Sequence, residues 1–341
     1  MLMTSRRGAA AGALLLLAAT SHISPAAAAP APVKCGTVIT TSTTLTANVG
    51  PCPSDGLIIG ADGITLDLGG KAVQGKANRT GDGVGIRVTG HNGVTLRNGR
   101  VTDFDAGVAI EGGSGNTVTG LLVKDNIGST KRGDFGDGIA ISSSSGNTIS
   151  NNNVIHNGPF DGIGLFGPSS GNLLEGNVVS GNDVSFTADD GIRIEGPGAQ
   201  NNTVRGNNVS ASTLDGIAVF SDQGTGNLNT GNVIEQNTVT ANGFGLLGAR
   251  PGEGIRTFLR ANQTIIQDNV VTDNAGSGIL IGSGSLANQI LTNTATGNAR
   301  QASATSPRFD LHDLNLTPTP CDANVWSGNI YGTANQACTT G

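Results

Sequence analysis

The chain has 341 residues, of which 54 are Gly and 33 Asn, while 3% are aromatic and 13% charged. Such a composition offers little to sustain long helices, and the recurrence of Val, Ile and Leu throughout excludes a disordered chain. A formal net charge of −6 does not invite nucleic acid or an anionic lipid surface, so neither is expected as a partner.

Residues 1–28 read as a secretory signal, with Arg6 and Arg7 before the apolar stretch Ala9 to Ala19 and small residues Ala26 to Ala29 at the cleavage zone. The apolar run is too short to span a bilayer, so no membrane insertion is expected. Removal of the signal would leave 17 basic and 25 acidic residues, a net charge of −8. Cys35 with Cys52 and Cys321 with Cys338 are each 17 positions apart, and local pairing would close the two ends of the chain in an oxidising compartment.

Between these ends the sequence repeats. A Gly opens an apolar pair at Gly83-Val84, Gly107-Val108, Gly138-Ile139, Gly162-Ile163, Gly191-Ile192, Gly216-Ile217, Gly254-Ile255 and Gly278-Ile279, at intervals that never fall below 24 residues. Within each repeat Asn recurs every five positions, as in Asn147, Asn152, Asn157 and Asn232, Asn237, Asn242. The template is a coil of short strands turned by Asn, with no sustained 3.6-residue stripe. Such a floor excludes a β-propeller, whose blades are longer. The pattern predicts an all-β, single-stranded right-handed parallel β-helix of about nine to ten coils with disulfide-closed ends. Residues 29–310 would form the solenoid with its N-terminal cap, and 311–341 a C-terminal cap.

The pattern Gly-Ile-x-Ile followed by Asn-x-Ile-x-x-Asn-x-Val-x-x-Asn, running over roughly residues 56–300, resembles the NosD-type right-handed β-helix repeat and pectate-lyase-like folds generally. The resemblance implies a secreted protein that binds or cleaves polysaccharide in a groove along the Gly-Ile-x-Ile strands. A non-catalytic envelope or surface module is the alternative, and a monomer is expected.

Alternation places one side chain of each Gly-Ile-x-Ile strand outward, then another two residues on. The first outward row reads Ala109, Ala140, Gly164, Arg193, Ala218, Arg256, Leu280, and the second Glu111, Ser142, Phe166, Glu195, Phe220, Phe258, Gly282. Phe166, Phe220 and Phe258 are candidate platforms for sugar rings, or else are covered by loops. The longer coils carry their extra residues just before the next opening Gly, at 127–136, 183–189 and 243–252, so these loops would wall one side of the groove. Lys131, Arg132, Asp134 and Arg250 are their polar contributions.

An acid precedes the opening Gly in five successive coils: Asp137, Asp161, Asp190, Asp215 and Glu253, with Asp189 beside Asp190. Asp-Gly is also ordinary turn chemistry. As function, Asp161, Asp215 and Glu253 are candidate substrate contacts, and a calcium ion at Asp189 and Asp190 would relieve the repulsion; no other cofactor is expected. Two mechanisms stay open for a catalytic site of Arg193, Glu195, Asp189, Asp190 and Arg256. Paired carboxylates hydrolyse glycosides, whereas an arginine base abstracts a proton beside a uronate carboxylate. Neither the Gly-His-Gly motif of polygalacturonase-like hydrolases nor the Asp-Pro-His-Asp type of alginate epimerases is present. Joint replacement of Arg193 and Glu195 by Ala is expected to leave the fold intact.

Overall fold

The computed structural model describes residues 32–77, 83–131, 135–180, 189–221, 228–245, 250–303, 305–316, 321 and 323–341. The signal region, Arg132, Asp134 and most of the 183–189 loop lie outside them. Residues Pro32–Gly341 form one compact unit, a right-handed parallel β-helix. Among the described residues its front sheet holds eleven parallel strands, one per coil, from Thr37–Ile39 to Leu311–Asp313.

Register follows the repeat. Ile163 pairs with Ile192, Ile192 with Ile217, Ile217 with Ile255 and Ile255 with Ile279. The opening of one coil differs from expectation, because Ile86 pairs with Leu57 and Val108. Gly85, not Gly83, therefore occupies the opening position. A Cβ at Gly85 would come within 2.2 Å of Val101 Cγ1 and 2.6 Å of Gly107 O, which explains why the position is Gly. Eleven coils rather than nine to ten arise because both end segments join the ladders. Thr37–Ile39 adds to the front sheet, and Val325–Ser327 and Ile330–Tyr331 continue the two back ladders. Disulfides Cys35–Cys52 and Cys321–Cys338 close the ends as paired in the sequence.

One hydrophobic column runs through the coils, from Ile39 to Trp326. At the bends the Asn residues stack along the axis. Asn207 N–H and Nδ2 both donate to Asn237 Oδ1, at 2.9 and 3.0 Å, while Nδ2 also donates to the Leu174 carbonyl at 2.9 Å. Asn177 donates in the same way to Asn207 Oδ1. Each amide thus satisfies backbone groups that would otherwise be buried unpaired, at about 1–3 kcal/mol apiece. Among the described residues no helix is long and apolar enough to cross a membrane.

Candidate functional site

Strand pairing aligns the outward positions in the order read from the sequence. Gly164 lies beside Arg193, Arg193 beside Ala218, and Ala218 beside Arg256; Phe166 lies beside Glu195 and Phe220 beside Phe258. Upstream the register adds Arg87 next to Ala109, and Thr89 next to Glu111.

The acidic ladder behind this face is buried along its whole length, from Asp137 to Glu253. Each carboxylate accepts the backbone N–H of the next acid: Asp161 to Asp137 at 3.0 Å, Asp190 to Asp161 at 2.9 Å, Asp215 to Asp190 at 2.9 Å and Glu253 to Asp215 at 2.7 Å. The Asn ladders run the other way, each N–H donating to the following coil. As substrate contacts, Asp161, Asp215 and Glu253 are therefore ruled out by burial: one oxygen of each is bonded to backbone and none is open to a ligand.

Burial raises Asp137 to about 7 and Asp161 and Asp190 well above the ordinary range, with neighbouring acids adding to the effect. Glu253 is likewise raised to about 7 by burial and by Asp215. Asp215 departs from this pattern. Burial opposes its charge, but Arg250, Arg256 and the Glu253 N–H outweigh burial and hold it below its ordinary value.

Arg193 is the hub of the outward face. Its Nη1 donates to Asp189 Oδ1 and lies 3.9 Å from Asp190 Oδ2, while Nε lies 2.8 Å from Glu195 Oε2. The guanidinium sits 4.5 Å above the Phe220 ring centre, and that of Arg256 sits 3.8 Å above Phe258. Phe220 and Phe258 meet edge to face at 4.0 Å. Phe220 is only 5% exposed, so stacking on a sugar is closed to it; its surface is taken by Arg193 and Phe258. Phe258 is half-buried beneath its own arginine. Phe166 is also half-buried, with its ring across Gly164, where an added Cβ would stand 2.5 Å from two ring carbons.

Burial lowers the Arg193 affinity for its proton, but Asp161, Asp190, Glu195 and Asp189 more than reverse this and hold it charged. A proton-abstracting role for Arg193 is thereby disfavoured. Arg256 is instead lowered, chiefly by burial and by Arg250. Among the described residues no three His, Cys, Asp or Glu side chains are grouped to hold a metal ion. The Asp189 carboxylate already holds the Arg193 guanidinium, which supplies the countercharge that a cation at Asp189 and Asp190 would bring.

Three contacts escaped the sequence reading. Arg87 pairs with Asp55 at 2.9 Å and Glu111 at 3.2 Å, and lies over Phe135 at 5.0 Å. Asp55-Gly56 before Leu57 is the same acid-Gly signal seen from Asp137 onward, and could have been found by extending the ladder upstream. Arg250 reaches Asp215 from the 243–252 insertion. The buried pair Ser277 Oγ and His312 Nδ1, 2.9 Å apart, ends the face; burial lowers His312 to about 4.

Comparison with solved structures finds the same architecture. The A-module of mannuronan C-5 epimerase AlgE4 from Azotobacter vinelandii superposes with a TM-score of 0.58 at 16% identity, covering 88% of this chain and 78% of that one. A double mutant of the periplasmic alginate epimerase AlgG gives a TM-score of 0.59 at 13% identity, over 88% and 70% of the respective chains. A tailspike protein of E. coli bacteriophage HK620, solved in complex with a pentasaccharide, gives 0.59 at 11% identity, over 87% and 55%. These identities are low enough that the likeness concerns the fold alone. No curated protein matches the sequence. A family model described as right handed beta helix region matches residues 55–196 and 128–295, and the chain belongs to that family.

Proposed function

We propose that this is a secreted protein that binds polysaccharide along the outward face of the front sheet. One observation carries the reading: a row of small residues, Ala109, Ala140 and Gly164, runs between two arginine–carboxylate clusters on one continuous face. Phe135 packs against Ala109 and the Phe166 ring covers Gly164, so the span between the clusters offers an uncharged, partly aromatic surface to a chain laid along the axis, and the flanking charged groups offer donors and acceptors to hydroxyls. Both disulfides suit an oxidising compartment. The structural neighbours, alginate epimerases and a tailspike with bound pentasaccharide, support a carbohydrate ligand.

Cleavage is a second reading, favoured by Asp189 and Glu195 flanking Arg193 on that face. Hydrolysis by carboxylates fits better than elimination by Arg193, which is held charged. The test incubates the mature protein with uncharged and uronate-containing glycans, with and without calcium, and follows retention, new reducing ends and unsaturated-uronate absorbance. Retention without turnover supports binding alone, and new reducing ends support the hydrolase. Absence of both across the panel would leave a structural module as the better account.

A further inference from the structure

Resting on that reading, the charge arrangement of the face names the class of polysaccharide. The described arginines on it face carboxylates: Arg87 pairs with Asp55 and Glu111, Arg193 with Asp189 and Glu195, and Arg250 with Asp215, while Arg256 Nη1 lies 3.6 Å from the same Asp215 and its Nε has no hydrogen-bond partner. In the two clusters that bound the small-residue floor, the carboxylate is the more accessible partner. Glu111 is 38% exposed against 21% for Arg87, and Glu195 is 35% exposed against 19% for Arg193. What an approaching chain meets first at both ends is therefore anionic, on a molecule whose net charge is already −6.

Glu111 and Glu195 are separated by three strand spacings in the same outward row, through Ser142 and Phe166, which is about 14 Å along the axis. Between them the surface is uncharged: Ala140 and Gly164 are buried, Gly164 beneath the Phe166 ring, and Ser142 and Phe166 are the half-buried residues of the span. A polyuronate laid here would bring its own carboxylates against Glu111 and Glu195. Like charges brought this close repel, and among the described residues the two guanidiniums that bound the span, Arg87 and Arg193, are already ion-paired. A sugar with hydroxyls in place of the acid meets carboxylate acceptors at both ends and an aromatic ring between them.

We infer that Glu111, Ser142, Phe166 and Glu195 form a subsite for a short run of sugars without acidic groups, and that the two glutamates exclude polyuronates. Affinity electrophoresis of the full mature protein tests this, with soluble β-glucan and galactomannan as uncharged probes and alginate and polygalacturonate as acidic ones. The expected result is retardation by at least one uncharged polymer and by neither acidic one. Phe166→Ala should weaken that retardation tenfold or more. Ser142→Tyr, which blocks the uncharged span without removing a packed ring, should do the same if Phe166→Ala alters the thermal transition. Joint Glu111→Gln and Glu195→Gln should admit the acidic polymers, which a merely structural role for the glutamates would not do. Retardation of the unaltered protein by alginate or polygalacturonate overturns the inference but leaves polysaccharide binding standing. Retardation by none of the four overturns both.

Discussion

Arg250 grips both oxygens of Asp215, with Nη1 3.0 Å from Oδ1 and Nη2 2.7 Å from Oδ2, across 35 positions of sequence. Asp215 is wholly buried, and the same carboxylate also accepts the Glu253 N–H. The contact ties the 243–252 insertion to the ladder behind the groove. Arg250→Ala should destabilise the protein by about 3 kcal/mol, because it leaves a buried carboxylate short of its main partner. Adding Asp215→Asn should recover part of that loss in a denaturant double-mutant cycle; strictly additive effects would show that the two groups are not coupled.

Stability should depend on pH in a direction opposite to that of most ion-paired acids. Asp137 and Glu253 are raised to about 7 by burial, so folding favours their protonated forms. Their contribution is complete below the ordinary carboxylate range and is lost as pH rises through about 7. Asp215, held low, acts the other way and gives up its contribution only in more acidic solution. Thermal transitions followed from pH 4 to 8 should fall, and Asp137→Asn, which keeps the acceptor for the Asp161 N–H, should flatten the slope. A profile unchanged by that replacement would count against a protonated Asp137.

The Asn ladder should be sensitive at its centre. Asn207→Ala removes the acceptor of Asn177 N–H and Nδ2 and the donor to the Leu174 carbonyl and Asn237 Oδ1. A loss of about 3 kcal/mol in urea unfolding is expected. A loss no larger than that of an exposed Asn such as Asn201 would mean that water replaces the ladder.

Arg193 and Glu195 should separate, contrary to the expectation that their joint replacement leaves the fold intact. Arg193→Ala uncovers Phe220 and deprives Asp189, Asp161 and Asp190 of their cation, for about 2 kcal/mol of stability. Glu195→Gln, at a half-exposed position with one partner, should leave the thermal transition nearly unchanged while altering glycan retention. Equal stability losses in the two variants would contradict this division.

Removal of the C-terminal disulfide by Cys321→Ala and Cys338→Ala should lower stability by about 3 kcal/mol through the unfolded state. Calorimetry of oxidised and doubly substituted protein reads it directly.

The amino-acid sequence by itself determined the solenoid. A side chain facing the core of one coil sits over its equivalent in the next, so period, Asn positions and the two outward rows are written locally, residue by residue. The aligned neighbours Arg193 and Ala218, or Phe220 and Phe258, follow from that period alone. The opening at Gly85 was misread because its strand, Val84–Thr89, begins two residues earlier than the motif, and only pairing with Leu57 sets the frame. Depth and charge state were decided by the tertiary structure. An Asp before Gly looks the same whether it faces water or the coil behind. Stacking buries Asp161 and Asp190 and takes up their backbone-facing oxygens, and it turns Phe220 from an exposed platform into a support for Arg193. Those outcomes depend on groups brought together from coils 25 to 38 positions apart, a distance at which no local pattern specifies which side chain covers which.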